Sequence, residues 1–125
     1  MELKEYFENN DGVGVLATAD AEGKVDLAIF ARPHVLDDDQ VGFIMTERLT
    51  HHNLQSNPHA AYMFMEKGND EKRWQGKRLF LTKKSEEKDS ERLREMRRVS
   101  YGDDRDGRYL VSFGVDKVLP LLGSD

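Results

Sequence analysis

The chain has 125 residues and carries 19 Lys plus Arg against 24 Asp plus Glu, which gives a net charge of −5. This length predicts one domain, 1–125, and leaves no room for a separate substrate domain. The acidic balance disfavours nucleic acid and anionic membrane as partners. Cys is absent, which excludes disulfides, thiolate metal sites and cysteine nucleophiles. Because no apolar run has signal-peptide or membrane-spanning length, we predict a cytoplasmic protein.

The first elements are a short helix and a hairpin. Apolar residues at helical spacing precede a breaker cluster at 9–12 and predict a helix over one barrel opening; they are Leu3, Tyr6 and Phe7. Residues 13–19 and 25–32 then alternate as strands around a turn that contains Gly23. The loop 33–40 contains three successive Asp residues, which we interpret as a solvated turn rather than a cation site.

Residues 41–64 are the most informative segment, because they predict a strand, a polar turn, a short helix and another strand in close succession. Thr50 is predicted to cap the helix, and the pair Asn57-Pro58 limits it to one or two turns. A helix start favours anions, and Arg48 nearby has a guanidinium suited to phosphate oxygens. This pattern predicts a phosphate site. The alternative is a connection whose polar residues only satisfy the backbone.

The second half contains fewer clear signals. A strand near 60–66 leads into a charged surface loop, in which the lone Trp74 suggests partial burial first and a ligand-facing or subunit-contact role second. Strand alternation returns at 78–83, and the charged segment 83–98 predicts an exposed helix. A last strand is predicted at 108–115 and continues over 118–122. Six short strands with minor helices predict a mainly β fold, a six-stranded antiparallel barrel, closed or split.

The segment from 46 to 58 resembles the T-x-x-x-[KST]-x-x-N-L-x-x-N-P region of the pyridoxamine 5′-phosphate oxidase-like, FMN-binding split-barrel family. The matching residues are Thr46, Thr50, Asn53, Leu54, Asn57 and Pro58. Many members have Lys where this chain has Thr50. The resemblance implies a six-stranded split β-barrel and an FMN cofactor at a homodimer interface. The ring would lie against the second strand, and the phosphate would lie at the short helix.

Carried over to this sequence, the resemblance names the cofactor-binding candidates. Those along the ring are Ala28, Ile29, Phe30 and Ala31, and those around the phosphate and ribityl chain are Thr46, Arg48, Leu49, Thr50 and Asn53. Arg32 is a further cofactor candidate or a barrel-rim ion pair. Trp74 is a flavin-facing candidate. His34 is a possible substrate-side donor, with an ordinary strand-end His as the alternative.

The predicted function is FMN-dependent oxidoreduction of a small organic substrate, because the family's flavin supplies the chemistry and no Ser, His and acid are arranged for covalent hydrolysis. No metal site is predicted, since His51 and His52 are adjacent on the helix and are poorly set to share one ion. The alternatives are a non-catalytic flavin electron carrier or redox sensor, and a haem-handling barrel. Pyridoxamine phosphate oxidase activity itself is not expected, because the carboxyl-terminal segment lacks the family's Arg-rich motif.

Overall fold

A computed structural model describes residues 3–67, 74–96 and 107–123 of the chain. The strands are β1 Gly12–Ala19, β2 Val25–Ile29, β3 His34–Asp37, β4 Gln40–Thr46, β5 His59–Glu66, β6 Gly76–Lys88 and β7 Arg108–Pro120. The helices are α1 Leu3–Asn9, α2 Leu49–Ser56 and α3 Glu91–Met96. All neighbouring strands are antiparallel and form one seven-stranded sheet in the order β2-β1-β5-β6-β7-β4-β3. The predicted mainly β class is confirmed.

The prediction of six strands is wrong, because the loop expected at 33–40 contains β3. This strand pairs with β4 in a hairpin, with Val35 opposite Val41 and a register shift before Asp37. Its four residues are too few to show a period of two beside the polar turn that follows. The sheet is also open, since β2 and β3 are its two ends and do not pair with each other.

The helix predicted over 83–98 is present only in its second half, because residues 83–88 belong to β6 and the helix is limited to α3, Glu91–Met96. β6 continues to Lys88, and its second half pairs with β7, with Glu86 opposite Val111. Only α3 is helical, and Leu93 is its buried residue. Pairing between distant strands therefore overrides a charge pattern that favours a helix. The end of the predicted helix, residues 97–98, and most of the surface loop after β5 lie outside the described residues.

The core lies on one face of the sheet, beneath the helix predicted at the start of the chain. Leu3 and Phe7 of α1 are almost fully buried, and the Phe7 ring meets the Phe64 ring edge to face at a centroid distance of 5.2 Å. A second aromatic group surrounds Phe43, whose ring lies 4.9 Å from that of Tyr62. The helix α1 therefore packs on β5 and also lies against β3.

The opposite face of β2, β1 and β5 is apolar but uncovered. On β2 the side chains of Val25, Leu27 and Ile29 are 82%, 71% and 78% exposed. The register places Val15 beside Ile29 and Met63, so the apolar surface continues across three strands. We call this surface the outer apolar face; its residues are Val13, Val15, Ala17, Val25, Leu27, Ile29, Ala61 and Met63.

Candidate functional site

A cavity of about 950 Å³ opens between β2, β4 and the start of α2. It brings together all the predicted cofactor-binding residues except Asn53 and Trp74, and it also includes the predicted substrate residue His34. The lining residues are Asp26, Ala28, Ile29, Phe30, Ala31, Arg32, His34, Gly42, Phe43, Ile44, Met45, Thr46, Arg48, Leu49, Thr50 and Arg108. Trp74 is not among them and is 66% exposed, so its predicted partial burial is wrong.

The wall formed by the end of β2 is fixed at Phe30. Its N–H donates to the carbonyl of Gly14 at 3.0 Å, and its carbonyl accepts from the Tyr62 hydroxyl at 3.2 Å. Its ring contacts the Phe43 ring edge at a centroid distance of 5.7 Å. A Cβ at Gly14 would overlap the Tyr62 hydroxyl, so this contact requires glycine at that position. Phe30 is thus held through both backbone groups and its side chain.

The outer edge of β2 presents backbone groups beside the cavity. In an antiparallel pair, the N–H and C=O groups of alternate residues point to the partner strand. Because the Phe30 N–H points to Gly14 of β1, the N–H and C=O groups of Leu27 and Ile29 point away from β1. In the described parts of the chain, no strand pairs with this edge. The edge can therefore hydrogen-bond a planar ligand that carries its own donors and acceptors.

The start of α2 forms the other end of the cavity. Arg48 occupies the N-cap position in an extended conformation, and no side chain caps the helix. The first intrahelical bond runs from the His52 N–H to the Arg48 carbonyl at 2.9 Å. The N–H groups of Leu49 and Thr50 precede that bond and have no intrahelical acceptor, as at any helix start. This end of the cavity combines backbone donors with the Arg48 charge.

The prediction that Thr50 caps α2 is wrong. The helix begins at Leu49, so Thr50 lies within the first turn and its side chain turns toward β2, where its hydroxyl donates to an Asp26 carboxylate oxygen at 3.2 Å. The end of the helix is as predicted, because Asn57 is extended just before Pro58.

Asn53 lies beneath the cavity and ties α2 to the sheet. Its side-chain amide donates to the Thr18 hydroxyl at 3.1 Å, and both residues are buried. Thr18 is the cross-strand neighbour of Asp26, so the Asn53 and Thr50 bonds reach adjacent positions of the β1–β2 hairpin. These two hydrogen bonds therefore hold the start of α2 against the β1–β2 hairpin.

The far side of α2 is fixed by a charged cluster. One oxygen of Glu86 accepts from the Lys83 ammonium at 2.7 Å and the Gln55 amide at 3.0 Å, and the other lies 3.2 Å from Nε2 of His51. Burial raises the pKa of Glu86, but the hydrogen bonds from Gln55, Lys83 and His51 outweigh it and hold the pKa at about 2. His51 is buried and its ring stacks on Tyr109 at 4.0 Å.

Two charged cavity residues were missed by the sequence reasoning, Arg108 and Asp26. Arg108 begins β7 and is the register partner of Thr46, which places it beside the α2 start. Its N–H and that of Gly107 donate to Asp89, and these bonds lower the pKa of that carboxyl group. Nothing in the local sequence signals either residue, because both positions follow from strand pairing.

Solved structures have this fold, although no protein-family model matches the chain and no curated protein matches it in sequence. An FMN-binding protein of Syntrophomonas wolfei subsp. wolfei aligns with a TM-score of 0.81 at 19% identity, covering 99% of this chain and 86% of that one. A candidate pyridoxamine 5′-phosphate oxidase of Lactobacillus delbrueckii aligns at 0.67 and 17%, covering 94% and 90%. The haem storage protein HutZ of Vibrio cholerae aligns at 0.68 and 18%, covering 94% and 91%.

The chain has the pyridoxamine 5′-phosphate oxidase-like split-barrel fold. Within this split barrel, Arg32 lines the cavity and also forms the predicted ion pair. Its guanidinium lines the cavity, donates to the carbonyl oxygens of Phe7 and Asn10 at 2.7 and 3.2 Å, and pairs with Asp11 at 3.4 Å. Arg32 therefore joins the cavity wall to α1.

The described residues contain neither a cluster of metal ligands nor a membrane-spanning helix. In residues 3–67, 74–96 and 107–123, no three His, Asp or Glu side chains are grouped so that they could hold a metal ion. Within the same residues, no helix combines the length and the apolar character needed to cross a bilayer.

Proposed function

We propose that the chain binds FMN in the cavity, with the phosphate at the start of α2 and the ring along β2. The observation that carries this proposal is the cavity itself, which has an uncapped helix start at one end and an unpaired strand edge at the other. Arg48 and Arg108 line the phosphate end, where charge-assisted bonds to phosphate oxygens are favoured. The FMN-binding neighbour of the same fold supports this choice of ligand.

The size and lining of the cavity fit a flavin mononucleotide. Ligand cavities commonly have volumes of about 300–1,000 Å³, and this one is near the upper end. The small side chains of Ala28 and Ala31 leave the β2 wall accessible to a flat ring, while Phe30 and Phe43 give an apolar floor. These residues would orient the ring and exclude water from one of its faces.

A second copy of the chain is proposed to complete the site. Among residues 3–67, 74–96 and 107–123, nothing covers the outer apolar face, and its β2 residues border the cavity on the opposite side of the same strand. Contiguous exposed apolar surface of this kind is typical of protein interfaces. In a two-fold homodimer the face meets its own copy, so both cavities lie beside the interface.

The proposed activity is oxidoreduction of a small organic substrate. A bound flavin supplies hydride or electron transfer. The chain would bind and orient the cofactor through Arg48, Arg108 and β2, and His34 at the cavity wall would donate a hydrogen bond to the substrate. Non-catalytic electron transfer uses the same site without a substrate.

The test compares FMN with riboflavin, which lacks the phosphate, by fluorescence titration. Arg48→Ala removes a charge-assisted contact, so FMN affinity should fall by one to two decades, about 1.5–3 kcal/mol, while riboflavin affinity is unchanged. Arg108→Ala should likewise lower FMN affinity and leave riboflavin affinity unchanged. Arg92→Ala is the matched control, because that arginine pairs with Glu87 on the surface away from the cavity.

Equal losses for FMN and riboflavin in the Arg48 and Arg108 variants would contradict the phosphate site. Absorption spectra after loading with FMN or with haem separate the flavin proposal from the haem alternative suggested by the HutZ fold. Bleaching of bound FMN by NADH or NADPH, followed by reoxidation only when an acceptor is added, would separate an enzyme from an inert flavin protein.

A further inference from the structure

Asp26 places a carboxylate in a cavity whose other charged side chains, Arg32, Arg48 and Arg108, are cationic. A carboxylate is repelled by a phosphate dianion, so it has no part in holding the phosphate. It is nevertheless held in place, because Thr50 donates its hydroxyl hydrogen to Asp26 at 3.2 Å. The cavity thus contains a fixed acceptor that the phosphate does not use.

We propose that Asp26 is a specificity residue that accepts hydrogen bonds from the hydroxyl groups of the ligand's polyol chain. This inference rests on the proposed FMN site and adds to it the recognition of the ribityl group. Riboflavin and FMN carry that group, whereas lumiflavin has only a methyl group in its place. Asp26 therefore distinguishes ligands by the chain and not by the ring or the phosphate.

The position of Asp26 supports this assignment. It lies on β2 two residues before Ala28, where the ring wall begins, and its partner Thr50 lies in the first turn of α2, where the phosphate end begins. The Asp26–Thr50 pair is therefore the junction between the two ends of the cavity. In a flavin mononucleotide the polyol chain is the group that joins ring and phosphate, so it crosses this junction.

The chemistry of the pair also selects hydroxyl groups. A hydroxyl group has one hydrogen to donate, and Thr50 gives its hydrogen to Asp26. An ionised carboxylate accepts at about four lone-pair positions, so the Thr50 bond leaves capacity for ligand donors. Polyol hydroxyls are donors, and a phosphate dianion is not. The pair consequently directs the hydroxyl groups toward β2 and the phosphate toward Arg48.

The experiment measures lumiflavin, riboflavin and FMN affinities by fluorescence titration of the parent and of five variants. In Asp26→Ala, riboflavin and FMN affinities should both fall by about tenfold or more, because each loses bonds to a charged acceptor, while lumiflavin affinity stays unchanged. Asp26→Asn keeps the shape and one acceptor oxygen and should show a smaller loss with the same pattern. Asp37→Asn removes an exposed carboxylate outside the cavity and is the control.

Thr50 is a positioning residue in this scheme, and its test uses two variants. Thr50→Val removes the hydroxyl group and should weaken the binding of riboflavin and of FMN alike. Thr50→Ser keeps the hydroxyl group and should bind both ligands with the affinity of the parent. Thermal unfolding of each variant shows whether the fold survives. An affinity loss shared equally by lumiflavin would mean that these residues only support the fold.

Three results would overturn the inference. The first is unchanged riboflavin affinity in Asp26→Ala. The second is tighter FMN binding with unchanged riboflavin binding, which would make Asp26 only a repulsive neighbour of the phosphate. The third is a parent protein that binds none of the three flavins, which would refute the proposed function itself and is recognised from the parent alone.

Discussion

Replacement of Glu86 by Gln tests the cluster that fixes the far side of α2. In the folded protein the Glu86 carboxyl group has a pKa of about 2, whereas its ordinary value is 4.5. This difference in pKa corresponds to a contribution of about 3 kcal/mol to the free energy of unfolding. The Glu86 side chain is 24% exposed, and solvent screening reduces the expected contribution to about 2 kcal/mol. The folded pKa is depressed, so this stability is complete above pH 4.5 and is lost as the pH falls toward 2.

Urea unfolding at several pH values measures this effect. Glu86→Gln should be less stable than the parent by about 2 kcal/mol at pH 7, and the two curves should converge as the pH approaches 2. Glu91→Gln, at an exposed carboxylate of α3, is the control and should follow the parent. A constant difference between Glu86→Gln and the parent at every pH would refute the electrostatic reasoning and leave only lost packing.

Three further predictions follow from the fold. Leu27→Glu puts a charge on the edge strand of the outer apolar face, so light scattering should show the mass of a single chain where the parent shows twice that mass; a parent of single-chain mass contradicts the proposed dimer. Gly14→Ala should unfold at lower urea concentration, because the added methyl group would overlap the Tyr62 hydroxyl, and an unchanged midpoint would contradict that packing. Asn53→Ala leaves the buried Thr18 hydroxyl without its donor and should cost about 1–3 kcal/mol by urea unfolding, whereas a loss near zero would mean that the bond does not stabilise α2.

The segment 41–64 was predictable because its signals are local. Alternation marks β4 and β5, and Asn57-Pro58 ends α2 within the chain's own sequence. The resemblance to the split-barrel family adds the order of these elements. The position of the Thr50 side chain was not predictable, since its partner Asp26 is 24 residues away and is reached only after β2 is in place.

The remaining errors also depend on pairing between distant segments. β3 is short, and pairing with β4 stabilises its strand conformation. Pairing with β7 does the same for the second half of β6. Arg108 reaches the cavity only because β7 pairs with β4 in a register that places it opposite Thr46. No local pattern encodes such a register, so the composition of the cavity was only partly visible in the sequence.

The hydrogen bonds from Thr50 and Asn53 to Asp26 and Thr18 fix the spacing between the helix start and the β2 wall before any ligand arrives. Neither end of the cavity can shift along the other without breaking a contact that is largely shielded from water. A ligand that is held at both ends must therefore span a fixed distance, so the cavity selects ligands by the length of the chain that joins their two ends. If the cavity holds a flavin as proposed, a flavin whose chain is one carbon longer or shorter would lose the fit of its ring or of its phosphate, and one of the right length would bind without the free-energy cost of ordering the protein.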